Sequence, residues 1–331
     1  MSGFDITFDN DFCEAADSVY VLSEPHAFGG NKHLFPTVNN RGFIFKVVKK
    51  GDTHEHLLMV GIPGLACIPK AKKVEEASGL KLELIVGSGD FHHMAMADWL
   101  KEFPDVKIVH SALKFPTTRN GKKILENEEW KARLELVEGP DFPSLEPYSD
   151  TLKFFGFNQC LTPPDAPFTP PDIHTPTKLT LFQYLKNVSK LEATERMLCV
   201  WAYHVPTKQL VYEHNMDFFL SKAKVSEFPF PLKYVFPKEK LQSAVKQPTS
   251  KGPKTLEGCK GHCEVWANVL DLDVRALLDY HSDPGLMPGR WETKEAYRKE
   301  MVQILKATGE DVEDGSAMMK KLHGHGPCCI L

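Results

Sequence analysis

The sequence predicts a layered α/β fold. Two observations carry that prediction: apolar residues switch between alternation and helical spacing along residues 41–111, and a glycine, a proline or a polar turn marks each switch. RGFIFKVVKK (41–50) alternates Phe43, Phe45 and Val47, and the polar GDTHE turn leads into HLLMVGIPG (56–64), so the pair predicts a hairpin. IPKAKKVEEASG (68–79) predicts a helix closed by Gly79. LKLELIVGS (80–88) predicts a strand, MAMADWLKEF a helix stopped before Pro104, and VKIVHS (106–111) another strand. Strands and helices that alternate in this way must cover a sheet with helices.

The second half is less regular. EWKARLELVEG (129–139) and TLKFFGF (151–157) predict strands, and MLCVWAYH (197–204) with KQLVYEHN (208–215) predicts a second hairpin around Val205-Pro206-Thr207. The proline-dense stretches at 161–178 and 228–258 predict surface excursions, because missing donors and fixed φ angles exclude helix and central strand. In CEVWANVLDLDVRALLDY (263–280), Val265, Val269, Leu272 and Ala276 stand at helical spacing, running towards a strand at the end. TKEAYRKEMVQILKATG (293–309) predicts a capped helix ending at Gly309.

With 331 residues, 42% hydrophobic content and a net charge of −4, the chain has a globular composition. Its 40 basic residues are spread along the sequence against 44 acidic ones, which leaves no broad basic face and argues against nucleic acid as a partner. The N-terminal residues lack the charge and apolar pattern of a secretion signal, and no run approaches the roughly 18 apolar residues of a membrane span. Eight scattered cysteines suit reduced thiols in a cytoplasmic setting.

GSGDFHHMAMADWLKEF (87–103) sets His92 and His93 where strand gives way to helix. One reading is an ordinary helix start, with Ser88 or Asp90 as the cap, Met94, Ala97 and Leu100 facing inward, and the histidines in the first turn. The other is a metal site, favoured by a helix dipole that keeps both imidazoles neutral and able to ligate. His110 after VKIV, His214 near the end of KQLVYEHN and His281 after VRALLDY occupy similar strand ends, where layered α/β proteins gather site residues.

Phe91-His92-His93 followed by Asp98-Trp99, then EFPDVKIV, YHVPTKQLVYEH and the closing DYHSDPG resemble the metallo-β-lactamase superfamily. The likeness is to a branch with a His-His turn in place of the full His-x-His-x-Asp-His signature, and it spans about residues 40–305. It implies a four-layer αββα sandwich and a metal-dependent hydrolase. Carried over position by position, the signature falls on Ser88, Asp90, His92 and His93, and only the last matches. The first metal site is thereby implied to be absent. The second is implied to use His92, His93, His214 and His281, and an imidazole nitrogen cannot bridge two metals as a carboxylate does. The expectation is one zinc or other divalent ion.

Three histidines and a water would lower the water's pKa to roughly 7, with Asp90 as the catalytic candidate that orients the hydroxide or takes a proton. Four imidazoles would close the ion to water and make the site structural. The resemblance therefore implies a mononuclear metal-dependent hydrolase with a degenerate site and no identified small-molecule substrate. The competing reading is a catalytically inactive scaffold or binding protein.

Further candidates are weaker. GCKGHC (258–263) offers Cys259, His262 and Cys263 without a second pair at zinc-finger spacing, and Gly61 and Gly64 in IPGLACIPK suit a turn. His54 and His56 flank a hairpin turn and are expected to be solvated. Residues 1–310 form one expected domain, and 311–331 a flexible C-terminal tail ending in Cys328-Cys329-Ile330-Leu331. That ending loosely fits a prenylation box on Cys328, with Leu331 favouring geranylgeranyl. One prenyl chain beside Lys320 and Lys321 would give reversible peripheral membrane association; the alternative is a plain tail with two thiols.

Overall fold

The structure, a computed structural model, describes residues 13–16, 18–27, 37–87, 92–112, 115–138, 141–160, 196–212, 226–227, 265, 268–281 and 290–307. Asp90, His214, Cys328, Gly309, GCKGHC and both proline-dense stretches lie outside them.

Seven strands form the first sheet, in the order of the chain: β1 (Cys13–Ala16), β2 (Val19–Ala27), β3 (Thr37–Val48), β4 (Glu55–Val60), β5 (Leu82–Val86), β6 (Lys107–Ser111) and β7 (Leu134–Val137). The pairs from β1 to β4 are antiparallel and those from β4 to β7 parallel. Parallel neighbours need crossovers, and these are supplied by α1 (Ile68–Ser78), α2 (Met96–Glu102), and α3 (Arg119–Leu125) with α4 (Glu128–Lys131). The second sheet comprises β8 (Leu152–Cys160), β9 (Arg196–His204), β10 (Gln209–Tyr212) and β11 (Ala276–Asp279), with β11 at its edge and parallel to β10. The helix α5 (Lys294–Ala307) follows, its first turn capped where Thr293 Oγ1 accepts from the Ala296 N–H at 3.1 Å.

Three cores define four layers. Between the sheets, Val21, Phe43, Phe45, Val60 and Val86 meet Leu152, Ala202, Val211, Leu278 and Tyr280. Outside the first sheet, Ile44, Met59, Ile85 and Ile108 pack on Ala71 and Val74 of α1, Trp99 and Leu100 of α2, and Ile124 of α3. Outside the second, Trp201, Tyr203, Leu210 and Leu277 pack on Val265, Val269, Tyr297 and Met301. The alternation in β3 sets this layering: Phe43, Phe45 and Val47 face the second sheet while Ile44 faces the helices. Each buried side chain of this size contributes about 1.5–3 kcal/mol of transfer free energy. Among the described residues no helix is long and apolar enough to cross a membrane.

Several expectations change. The first sheet begins well before residue 40, with β1 and β2. Residues 128–131 are helical rather than extended, because Asn127 Oδ1 accepts from the Trp130 N–H at 3.1 Å and starts a turn before β7. The helix after the histidines starts at Met96, with Ala95 at the cap position and no side-chain cap bond, so neither Ser88 nor Asp90 caps it and His92 and His93 precede its first turn. Its inward face is Met96, Trp99 and Leu100, whereas Met94 is 63% exposed. Ala276, assigned to a helical face by spacing, belongs to β11.

Candidate functional site

The ends of β4, β5 and β11 converge at one edge of the sandwich. Gly61 follows β4 with φ +90°, and a Cβ there would run into the Tyr280 ring that packs against it. Tyr280 is buried, edge-on to Phe43 with ring centroids 5.2 Å apart. His92 stacks on Tyr280 with ring centroids 6.0 Å apart and an interplanar angle of 20°. His281, the next residue, lies 5.2 Å from His92 between ring centroids. Its Nδ1 is 2.7 Å from the Asn39 carbonyl and its backbone N–H donates to Asp279 Oδ1 at 2.8 Å. A carbonyl oxygen only accepts, so Nδ1 carries a proton.

His93 turns elsewhere. It is 8% exposed, with its ring 5.6 Å from Phe115 and 6.2 Å from His110. His110 is 1% exposed inside β6, over Gly87, where a Cβ would meet its ring. The structure thus brings His92 and His281 together and places His93 in a buried aromatic cluster. Asp90 and His214 lie outside the described residues. Among the described residues no group of three or more His, Cys, Asp or Glu side chains converges to hold a metal.

Sequence reasoning missed His26 and Arg41. His26, near the end of β2, has its pKa lowered by burial and by the nearby charge of His92, which places it beside the same edge. Arg41 is fully buried and donates from Nη1 to the Asp279 carbonyl at 2.9 Å. A basic residue two places before Phe43, on the inward-facing row, was the available signal for it. Gly64 serves packing: Glu24 fills the space a side chain would need and accepts from the Ala66 N–H at 3.0 Å. Burial and the adjacent Glu24 push the Cys67 thiol up to about 12, which makes it an inert core residue. His54 is 84% exposed in its side chain, as expected, and binds Asp52; His56 is partly buried and pairs with Glu83 at 2.8 Å.

Two imidazoles on one tetrahedral ion, with metal–nitrogen bonds of about 2.0–2.1 Å, hold their ring centres roughly 5 Å apart. The His92–His281 spacing of 5.2 Å fits that, and so does a His281 ring whose second nitrogen is anchored to a carbonyl.

No protein-family model matches the chain. No curated protein matches its sequence. Among solved structures it is similar to a metallo-β-lactamase from Pontibacter korlensis, with 8% identity, TM-score 0.41, and coverage of 89% of this chain and 98% of that one. It is also similar to a β-lactamase domain protein from Burkholderia ambifaria, with 12% identity, TM-score 0.44, and coverage of 90% and 72%. A third is the DIM-1 metallo-β-lactamase exposed to ceftazidime, with 11% identity, TM-score 0.39, and coverage of 89% and 96%. The chain's own two sheets and three cores make it an α/β, four-layer αββα sandwich.

Proposed function

We propose that the protein holds one divalent ion, zinc by its nitrogen donors, between His92 and His281, and that it is a hydrolase with a degenerate, mononuclear site. The observation that carries this reading is the 5.2 Å spacing of those rings, with the His281 Nδ1 proton committed to the Asn39 carbonyl. His214 is the proposed third ligand. Tyr212 pairs with Asp279 in the β10–β11 register, and His214 and His281 each follow their partner by two residues. Bound there, the ion would lower the pKa of a coordinated water to roughly 7 and so supply a nucleophile for a carbonyl or phosphoryl centre. Asp90 is the proposed proton acceptor.

A second reading, a scaffold without catalysis, is favoured by the position of His93, whose ring packs on His110 and Phe115. Elemental analysis of the full chain separates the two when wild type is measured beside His92→Ala and His281→Ala. About one equivalent of metal, lost in both variants, supports the site. Folded wild type free of metal leaves only the scaffold. Where metal is present, turnover of a thioester or phosphodiester panel distinguishes an enzyme from an inert metal protein.

A further inference from the structure

We infer that the edge of the sandwich where β4, β5 and β6 end is a membrane-docking surface: Leu65 and Met94 enter the interface of an anionic bilayer, and Arg119, Lys122 and Lys123 bind its phosphate headgroups. The inference is independent of the proposed metal site.

Parallel strands joined by crossover helices present their strand-to-helix connections at one edge of the sheet. β4, β5 and β6 are parallel neighbours. Leu65 lies in the connection from β4 to α1, Met94 in that from β5 to α2, and α3 opens at Arg119 after β6. One hydrogen bond joins each neighbouring pair: Trp99 Nε1 on α2 donates to the Pro63 carbonyl at 2.8 Å, and Asn120 Nδ2 on α3 donates to the Met94 carbonyl at 3.3 Å. Asn120 also lines an open cleft with Arg119, Lys122, Lys123 and Glu126. The two apolar side chains and the three cations thus belong to one connected edge.

Leu65 is 58% and Met94 63% exposed, and no other large apolar side chain among the described residues is exposed in this way. A single exposed apolar residue is ordinary, but two on neighbouring connections leave apolar area in water that docking would remove. Arg119, Lys122 and Lys123, at positions i, i+3 and i+4, share a face of α3 and are exposed. Among the described residues none of the three has an ion-pair or side-chain hydrogen-bond partner. By contrast, Lys50, Lys72, Lys81 and Lys131 each pair with a glutamate. Glu126 follows Arg119 by about 10 Å along the helix axis, on the side away from the edge.

Apolar tips beside unpaired cations match the bilayer interface, where apolar chains enter the acyl boundary and basic groups stay at the level of the phosphates. A stable protein partner needs about 800 Å² on each side with an apolar centre, which two side chains do not supply. Single-stranded nucleic acid stacks its bases on aromatic side chains, and neither exposed apolar residue here is aromatic.

The test is sedimentation of the full chain with vesicles of phosphatidylcholine alone or with about 30% phosphatidylserine. Every protein carries Cys328→Ser, so that no prenyl chain contributes. With a net charge of −4 the chain as a whole is repelled by an anionic bilayer, so binding needs a local basic surface. The parent is expected to bind only the anionic vesicles, and less as salt rises. Each cation near such a surface strengthens binding roughly 5-fold, so the triple variant Arg119→Gln, Lys122→Gln, Lys123→Gln is expected to lose about 100-fold in partitioning. Leu65→Ser and Met94→Ser are each expected to lose about 10-fold. All five positions are exposed, and unchanged urea midpoints check that the variants fold. The triple variant Lys81→Gln, Lys107→Gln, Lys131→Gln removes the same charge from the opposite edge, where β5, β6 and β7 begin, and is expected to bind like the parent.

A parent chain that ignores anionic vesicles overturns the inference. So does an equal loss in both triple variants, which would make the attraction a property of the whole surface. Serine variants that bind like the parent overturn the insertion of Leu65 and Met94, and with it this orientation of the docked chain. Binding to single-stranded RNA in preference to the vesicles overturns the bilayer in favour of a soluble polyanion.

Discussion

His204 on β9 reaches across the sandwich to Lys46 on β3, with Nε2 3.1 Å from its carbonyl oxygen, while Nδ1 lies 2.7 Å from Thr207 Oγ1. The carbonyl requires the proton on Nε2, so the Thr207 hydroxyl donates to Nδ1 and the ring is neutral and satisfied. Burial lowers its pKa from 6.5 to about 4. The unfolded chain therefore binds the extra proton first as pH falls: the stability is fully present above pH 6.5 and is lost between there and about 4. That difference is worth about 3 kcal/mol. Urea unfolding at several pH values is expected to show the loss in wild type and a flatter response across this window in His204→Gln. Parallel declines would show that other groups carry the acid sensitivity.

Gly61 and Gly79 both have positive φ, at +90° and +70°, yet only Gly61 faces an obstacle, the Tyr280 ring. A Cβ at Gly79 meets nothing within 4 Å. Gly79→Ala is expected to cost about 1 kcal/mol, the ordinary expense of a left-handed residue. Gly61→Ala adds a clash with a buried aromatic and is expected to cost more than about 2 kcal/mol. Denaturant midpoints compare the two directly. Equal costs would mean that Tyr280 yields easily.

How far the fold could be read in advance follows from where short apolar runs are bounded by turn residues. β3, β4, β5, β6 and the β9–β10 hairpin were legible because each is a short apolar run, buried on both faces, that ends at a glycine, a proline or a polar turn, and α1 because Gly79 closes it with a left-handed cap. β2 was not, since Glu24, Pro25 and His26 interrupt its pattern; Glu24 is buried by satisfying a turn 42 residues away. The start of α2 escaped because nothing caps it and its chain turns through Met94 and Ala95 first. In the site, strand-end histidines pointed to His92 and His281. Their supports did not show, since Asn39 with His281 and Arg41 with Asp279 are contacts across 242 and 238 residues, and only the packing of two sheets creates them.

The indole of Trp99 ties α2 to the turn after β4. The side chain is fully buried, stacked on Phe103, and its Nε1–H donates to the Pro63 carbonyl at 2.8 Å. Trp99→Phe keeps most of the apolar contact but leaves that carbonyl without its donor. The expected loss is about 1–3 kcal/mol by urea unfolding. A smaller loss would indicate that water reaches Pro63 in the variant.

Adjacent histidines invite opposite outcomes. His92 is half-buried and stacks beside His281, whereas His93 is 8% exposed and packs on Phe115 and His110. Removing the His92 ring opens a partly solvated position, so His92→Ala is expected to lose bound metal with little change in stability. Removing the His93 ring leaves a void against two aromatic neighbours, so His93→Ala is expected to keep the metal and lose about 1–3 kcal/mol. Metal equivalents and urea midpoints measured on the same preparations read both effects at once. Metal lost from His93→Ala while its midpoint is unchanged would move the ligand role to His93 and require its ring to leave the Phe115 cluster on binding.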